Sequence, residues 1–406
     1  MKIRSITCFF DPRSPQAYAG LDKLARLAQE GQALYNQAGI EVQTTRLATV
    51  PFLFLLHGQN PGELVELAQS LESAAGQAGY DYLSLGPALP DSLPSYDLIP
   101  KALEATQSTF FGGLMTTSGG GISLPAVRLC AEVIAKSAPI SPDGFANLRF
   151  AALANVPPGT PFFPAAYHFE GKPTFALALQ AADLAVNAFS GASSVNQAQR
   201  DLIESMQVQA AVLERVSLNL ETVTGAHFGG IDFSLAPFPE QALSLGTAME
   251  ALGVPALGMH GSLAAAAIVA DAMDRARFRR AGFSGLMLPV LEDAVLAQRA
   301  AEGSLGVKDL LLFSAVCGTG LDTVPLPGDT SPEEIYPLLL DLASLAQRLD
   351  KPLTARLMPV PGKRAGDPTG FDFTFFANSR VLPLQAARLT GALAGEDSFS
   401  LSPRRF

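Results

Sequence analysis

Residues 258–262 place a histidine between two glycines, in the order Gly-Met-His-Gly-Ser. The segment follows a short apolar stretch and precedes an alanine-rich helical pattern, which predicts a turn between a strand and a helix. In α/β proteins, ligands bind outside the carboxyl ends of the strands, where such turns lie. Because imidazole titrates near neutral pH, we predict that His260 is a catalytic acid or base. A ring that only caps the turn is the alternative.

Cys317 begins a second segment of this kind, Cys-Gly-Thr-Gly-Leu-Asp, directly after an apolar run at residues 311–316 that predicts a strand. A thiol at a glycine-rich turn or a helix start can have a lowered pKa and act as a nucleophile. We therefore predict that Cys317 is a nucleophile or a wall of the pocket. The alternative is a buried and inert cysteine.

A run of three glycines follows another predicted strand and precedes a helical pattern at residues 124–136. Such a loop lets bare backbone N–H groups approach an anion at the start of a helix. It has neither the lysine of a phosphate-binding P-loop nor the glycine spacing of a dinucleotide-binding turn. We predict that a carboxylate or phosphate is bound here, and the alternative is a tight turn that needs a positive φ. The predicted anion-binding residues are Ser118, Gly119, Gly120, Gly121 and Arg128.

Several acidic residues lie among apolar neighbours within or after predicted strands. Asp232, Glu292 and Asp322 are the three that we select. A carboxylate in such surroundings must be paired, hydrogen-bonded or bound to a metal ion. Paired carboxylates can hold Mg²⁺ or Ca²⁺, so all three are predicted metal ligands, and Asp232 is also predicted to orient His260. For Glu292 the alternative is a helix start, where an anion faces the helix dipole.

The segments that must position these residues alternate between short apolar runs and longer helical patterns. This alternation is typical of βαβ units around a largely parallel sheet. The sequence has no clear internal boundary, so we predict one α/β domain over residues 1–406, with a mobile loop at residues 359–370. Ten strands are predicted, at residues 3–9, 40–47, 82–85, 109–116, 148–154, 174–179, 230–235, 284–288, 311–316 and 353–359, and a late pair around residues 371–377.

The composition limits the classes of partner. The net charge is −10 and no large cluster of lysine and arginine occurs, which argues against nucleic acid. No apolar run is long enough to span a membrane, and the amino terminus lacks the apolar core of a signal peptide. The three cysteines are far apart, which favours reduced thiols in the cytoplasm. The large apolar content predicts a homo-oligomer.

Five ordered segments of the chain resemble one protein family. They are residues 119–134 (GGGISLPAVRLCAEVI), 146–168 with the ending TPFFPAAYH, 230–239 (GIDFSLAPFP), 258–267 (GMHGSLAAAA) and 283–330, which contains SAVCGTGLDTVPLPGDT. The family is domain-of-unknown-function family 711, also called uncharacterised protein family 0210. Its fold is similar to that of pyruvate formate-lyase-like enzymes, which implies a ten-stranded α/β barrel with a loop inserted into its mouth.

In that class of enzyme a cysteine on the inserted loop does radical chemistry, which draws attention to Cys317. The glycyl-radical partner needs an Arg-Val-x-Gly-Tyr type of segment near the carboxyl terminus, and residues 391–397 depart from it. No glycyl radical is therefore expected. We predict a cytoplasmic enzyme that acts on a small anionic metabolite in the barrel mouth, by acid/base or thiol chemistry with or without a divalent metal. The alternatives are a non-catalytic metabolite sensor and a structural subunit.

Overall fold

The computed structural model describes residues 1–13, 17–58, 60–169 and 171–403. In this part of the chain, strands and helices alternate as the sequence predicts. The strands are β1 (Lys2–Phe10), β2 (Thr45–Pro51), β3 (Tyr82–Ala88), β4 (Thr109–Leu114), β5 (Ile122–Ser123), β6 (Phe150–Ala154), β7 (Thr174–Gln180), β8 (His227–Ala236), β9 (Gly320–Pro327), β10 (Leu353–Val360) and β11 (Ser398–Phe399).

The helices lie between these strands. They are α1 (Ala17–Gln37), α2 (Pro61–Gln77), α3 (Ile99–Ala105), α4 (Leu124–Ser137), α5 (Ala182–Ser190), α6 (Val195–Thr224), α7 (Leu245–Ala251), α8 (Ser262–Arg275), α9 (Ala294–Glu302), α10 (Val307–Phe313) and α11 (Pro332–Leu349). Short 3₁₀ turns complete the connections. None of the helices in the described ranges has both the length and the apolarity that crossing a bilayer requires.

Nine strands form one sheet in the order β8-β7-β1-β2-β3-β4-β6-β10-β9. The five central strands β1, β2, β3, β4 and β6 are parallel to one another. Strand β7 is antiparallel to β1, and β10 is antiparallel to β6, while β8 and β9 are parallel to these outer neighbours. The described residues thus form a single mixed α/β domain in which two groups of parallel strands run in opposite directions.

The strands are apolar because helices and loops cover them. Every residue of β6 and β10 is buried, which is typical of strands that are covered on both faces. A capping box begins α11: Glu334 accepts hydrogen bonds from both the backbone N–H and the hydroxyl of Ser331, at 2.9 and 3.0 Å. This capping box satisfies groups that the first turn of the helix leaves free.

An irregular segment at residues 279–290 lies against the two edge strands of the sheet. Ile231 of β8 pairs with Arg280 in a parallel bridge, and Pro289 pairs with Asp322 of β9 in another. Between these bridges the backbone N–H groups of Phe283 and Ser284 donate to the carboxylate of Asp232 instead of to a strand. The strand predicted at residues 284–288 is therefore wrong, because its hydrogen bonds are directed elsewhere.

The strand predicted at residues 311–316 is also wrong. This apolar run belongs to α10 and the turn after it, and the strand lies later, in β9. Short apolar runs do not distinguish a buried strand from a buried helix, which explains the error. The late pair of strands predicted around residues 371–377 is absent as well, since these residues form no strand. A single antiparallel bridge joins Pro368 to Arg380, on either side of them. The mobility of residues 359–370 stays a prediction.

Two glycines hold the irregular segment against the chain that leads into β9. A Cβ atom on Gly285 would lie 2.3 Å from the Cα of Gly318, and a Cβ on Gly318 would lie 2.3 Å from the Cα of Gly285. Because the neighbour is backbone in both cases, it cannot rotate away. We expect Gly285→Ala or Gly318→Ala to lower the free energy of unfolding by about 1–3 kcal/mol, measured by urea denaturation.

Gly76→Ala is the matched control for this pair. Gly76 lies in α2, and a Cβ there would meet no atom within 4 Å. This change should raise stability by about 0.5 kcal/mol, because alanine is the better helix former. Wild-type stability in both close-contact variants would contradict the backbone approach.

Candidate functional site

A cavity of about 80 Å³ is lined by side chains from seven of the nine sheet strands. Strands β8 and β10, which lie near opposite ends of the strand order, both contribute to it, so the sheet curves around this space. Part of the lining, the charged wall, carries charged side chains, and the rest, the apolar wall, consists mainly of apolar side chains. The charged residues of the lining are Arg4, Arg46, Asp232, Glu292 and Arg356.

Glu292 lies between two arginines at the charged wall. Its carboxylate accepts hydrogen bonds from Arg4 and, at 2.7 Å, from Nη2 of Arg356. The Nε of Arg356 donates to Oδ1 of Asp322 at 2.6 Å. Burial by itself would raise the pKa of Glu292, but Arg4 and Arg356 outweigh it and lower the pKa. Burial raises the pKa of Asp322, although Arg356 opposes the shift.

Arg46 is the cavity arginine without a carboxylate partner among the described residues. Its Nε donates to the hydroxyl of Thr44 at 3.0 Å, and its guanidinium lies 5.6 Å from the ring centre of Tyr82 and 5.2 Å from that of Phe163. Burial, followed by repulsion from Arg4, lowers its pKa to about 9. At neutral pH the guanidinium is still protonated. Glu292 attracts it, but no carboxylate of the described residues lies within ion-pair distance of it.

Asp232 has a pKa close to neutral pH. Its carboxylate accepts hydrogen bonds from the hydroxyl of Ser234 and, at 3.0 Å each, from the backbone N–H groups of Phe283 and Ser284. Burial nevertheless raises its pKa to about 6. Gly282 permits this arrangement, because its φ is +60° and a Cβ there would lie 2.2 Å from Oδ2 of Asp232. Near pH 6 the carboxyl can therefore give or take a proton.

Aromatic side chains form the apolar wall. Phe110 and Phe163 meet edge to face with their ring centres 5.4 Å apart, and Phe373 and Phe375 are 5.2 Å apart. Phe373 and Phe375 belong to the chain that follows β10 and are partly exposed. Ala377 attaches this segment to the domain, because its N–H donates to the carbonyl of Leu291 at 2.7 Å. A ligand in the cavity would thus meet both cations and aromatic rings, and the guanidinium groups of Arg46 and Arg356 themselves lie over rings of the lining.

The structure brings Asp232 and Glu292 to the same cavity, and Asp322 joins them through Arg356. In the described part of the chain, no three or more histidine, cysteine, aspartate or glutamate side chains are grouped as metal ligands would be. Guanidinium groups hold Glu292 and Asp322 instead. A divalent cation at these carboxylates stays a prediction.

His260 and Cys317 do not line this cavity. His260 is exposed on the turn between α7 and α8, so the predicted strand before it is wrong. Cys317 is buried in the turn between α10 and β9, where its Sγ accepts from the backbone N–H of Gly320 at 3.4 Å. The predicted strand before Cys317 is a helix. Catalytic roles for the two residues stay predictions, and they do not share the cavity with Asp232.

The glycine run also lies outside the lining of the cavity. It forms the turn between β4 and β5, in which the N–H groups of Gly120 and Gly121 donate to the carbonyl and the hydroxyl of Thr117. Gly120 has a φ of +79°, as the tight-turn alternative requires. Arg128 donates to Glu396 at 2.8 Å and to the carbonyl of Gly395 at 2.9 Å. The binding of an anion here stays a prediction.

The sequence reasoning did not select Arg4, Arg46 or Arg356. Each of the three lies within or beside an apolar run that was predicted as a strand, in the sequences KIRSIT, TTRLAT and TARLMP. A cation within a buried strand must be paired or must face a polar cavity. That signal could have located the cavity from the sequence.

The family model described as "Uncharacterised ACR (DUF711)" matches residues 1–374 of the chain. The chain belongs to the DUF711 family. It is 34% identical over 368 residues to a "UPF0210 protein" of Pyrobaculum arsenaticum, covering 84% of this chain and 79% of that protein. A "UPF0210 protein" of Desulforudis audaxviator is 33% identical over 358 residues, with coverage of 84% and 79%. That of Methanococcoides burtonii is 30% identical over 374 residues, with coverage of 86% and 80%.

The raised pKa of Asp232 gives the DUF711 protein a defined dependence of stability on pH. The folded state binds the proton of Asp232 more tightly than the unfolded state, in which the pKa of this aspartate is near 3.8. The contribution of Asp232 to the free energy of unfolding is therefore greatest below pH 3.8. This contribution should fall by roughly 3 kcal/mol as the pH rises to about 6, and should then stay constant. Asp232→Asn removes this contribution.

Urea denaturation of both proteins at pH 4.5, 5.5, 6.5 and 7.5 tests this expectation. The stability of the wild type minus that of Asp232→Asn should decrease with pH up to about 6.5. A difference that is constant over this range, or that increases with pH, would contradict the raised pKa.

Glu292→Gln should destabilise the domain by about 3 kcal/mol or more at pH 7.5, because the half-buried guanidinium of Arg4 would lose its carboxylate partner and the buried guanidinium of Arg356 would keep Asp322 alone. Glu41→Gln is the matched control, since Glu41 pairs with Lys2 at 2.7 Å but is 57% exposed. The control should change stability by about 0.5 kcal/mol or less. Equal effects in the two variants, measured by urea denaturation, would show that the buried network does not stabilise the fold.

Proposed function

We propose that this DUF711 protein is a cytoplasmic enzyme that acts on a small anionic metabolite in the cavity. Arg46 would hold the carboxylate or phosphate of the metabolite, and Asp232 would transfer a proton to or from it. The observation that supports the proposal most directly is the guanidinium of Arg46, which lies in a largely apolar cavity and is paired with no carboxylate of the described residues. Arg46 is half-buried against aromatic rings, and a charge-assisted hydrogen bond to an anion would stabilise its cation.

The chemistry proposed for Asp232 is general acid/base catalysis. A group with a pKa of about 6 is present in both protonation states in a cell, which is the condition for efficient proton transfer. Arg4 and Arg356 already share Glu292, and Arg356 also pairs with Asp322, so neither provides a free partner for the metabolite. Arg46 is therefore the group that would bind the negative charge of the metabolite.

A closed barrel like that of the pyruvate formate-lyase-like enzymes is part of the proposal. One group of five would be the parallel strands β1, β2, β3, β4 and β6. The other would be β7, β8, β9 and β10, with residues 279–290 as its fifth member. The parallel bridges of this segment to β8 and β9 support the closure. The free thiols of Cys8, Cys130 and Cys317 support a reducing compartment. A homo-oligomeric state stays a prediction.

A screen of metabolite anions by thermal shift, followed by a search for turnover by NMR, tests the function. For an anion that binds, Arg46→Gln should weaken the affinity about 10- to 100-fold, because a charge-assisted hydrogen bond is lost. Arg26→Gln is the matched control, since Arg26 is 62% exposed on α1. It should leave the affinity unchanged.

Asp232→Asn separates catalysis from binding in the same assay. It should retain the affinity within a few-fold and lower kcat at least about 100-fold, as expected when a general acid or base is removed. Saturable binding through Arg46 with no turnover of any bound anion would contradict the enzyme and leave the sensor as the function. Equal affinity in the wild type and Arg46→Gln would contradict the site itself.

A further inference from the structure

The charges of the cavity can be counted. Arg4, Arg46 and Arg356 contribute three positive charges, and Glu292 and Asp322 accept hydrogen bonds from two of these arginines. Asp232 stands apart from this group: the partners of its carboxylate are two backbone N–H groups and the hydroxyl of Ser234. Below the pKa of Asp232 the count leaves one positive charge, and above that pKa Asp232 balances the total. In either state Arg46 is the arginine that is paired with no carboxylate of the described residues.

The free part of Arg46 is the end of its guanidinium. Nε is already used by the Thr44 hydroxyl at 3.0 Å, and the ring of Phe163 lies 5.2 Å from the centre of the guanidinium. In the described residues neither terminal nitrogen of Arg46 has a hydrogen-bond acceptor. Two terminal N–H groups in one plane match the two oxygens of a single carboxylate.

The rest of the cavity provides no place for a second negative charge. Glu292 and, above its pKa, Asp232 would repel such a charge, and the remaining wall is uncharged and mostly apolar. That wall consists mainly of Phe110, Leu148, Phe162, Phe163, Met287 and Phe375. Burying a charge against these side chains without a partner is strongly unfavourable. Aromatic and aliphatic surface instead favours a ligand body that buries apolar area.

Resting on the proposed function, we infer that the ligand is a monocarboxylate with a compact apolar body, and that the cavity discriminates against dicarboxylates and phosphate monoesters. The carboxylate joins the end of the Arg46 guanidinium, and the body lies against the phenylalanines. The free space of about 80 Å³ restricts the body to the size of a branched alkyl group or a single ring.

Two matched probe series test the inference at pH 7.5 by isothermal calorimetry on the full chain. The first is benzoate, benzamide, terephthalate and phenyl phosphate, which share one ring. The second is isobutyrate, isobutyramide, methylsuccinate and isobutyl phosphate, which share a branched alkyl body. In at least one series the monocarboxylate should bind 10-fold or more tightly than its amide and both dianions. Arg46→Gln should remove this preference, and Arg26→Gln should retain it.

The outcomes separate this inference from the proposed function. Tighter binding of a dianion, still lost in Arg46→Gln, would overturn the monocarboxylate inference and leave the anion site in place. Equal binding of carboxylate and amide, or equal binding in the wild type and Arg46→Gln, would overturn both. Binding of no member of either series would also overturn both, because the guanidinium of Arg46 would then have no accessible partner. Thermal unfolding of each variant checks that it is folded.

Discussion

The buried charges around Glu292 are the interaction on which the candidate site depends. Two guanidinium groups share this carboxylate, and Arg356 also pairs with Asp322. Removing Glu292 would leave Arg4 without a carboxylate partner, and removing Arg356 would leave the buried carboxylate of Asp322 without its cation. Arg4 and Glu292 are 288 positions apart in the chain. The network therefore joins β1 to the segment before α9 and to β9 and β10, the last two strands in the order of the sheet. It also fixes which wall of the cavity is charged.

Arg46 and Asp232 face the same cavity, and removal from water shifts their pKa values in opposite directions. Burial disfavours the charged form of each, so it lowers the pKa of the arginine to about 9 and raises that of the carboxyl to about 6. Neither shift is cancelled by an ion pair. Groups with such shifted pKa values in one cavity are typical of functional sites, whereas the paired charges around Glu292 serve the structure.

The irregular segment at residues 279–290 connects these two parts. Two of its backbone N–H groups hold Asp232, and Gly282 makes room for the carboxylate. Gly285 then lets the segment approach Gly318 more closely than any side chain would allow. The segment gives up regular strand pairing to do this. The departure from a regular strand is thus explained by the site that it forms, because backbone donors that bind a carboxylate cannot also pair with a neighbouring strand.

The sequence by itself determined the class of fold and most of the strands, because apolar periodicity acts over a few neighbouring positions. It also identified Asp232 and Glu292 as carboxylates that need partners. Only the tertiary structure decided that those partners are arginines and backbone N–H groups, and that His260 and Cys317 lie outside the cavity. These outcomes depend on contacts between segments that are distant in the chain. A short apolar run does not specify whether it becomes helix α10 or a strand, and a lone arginine does not specify which carboxylate, if any, it will meet.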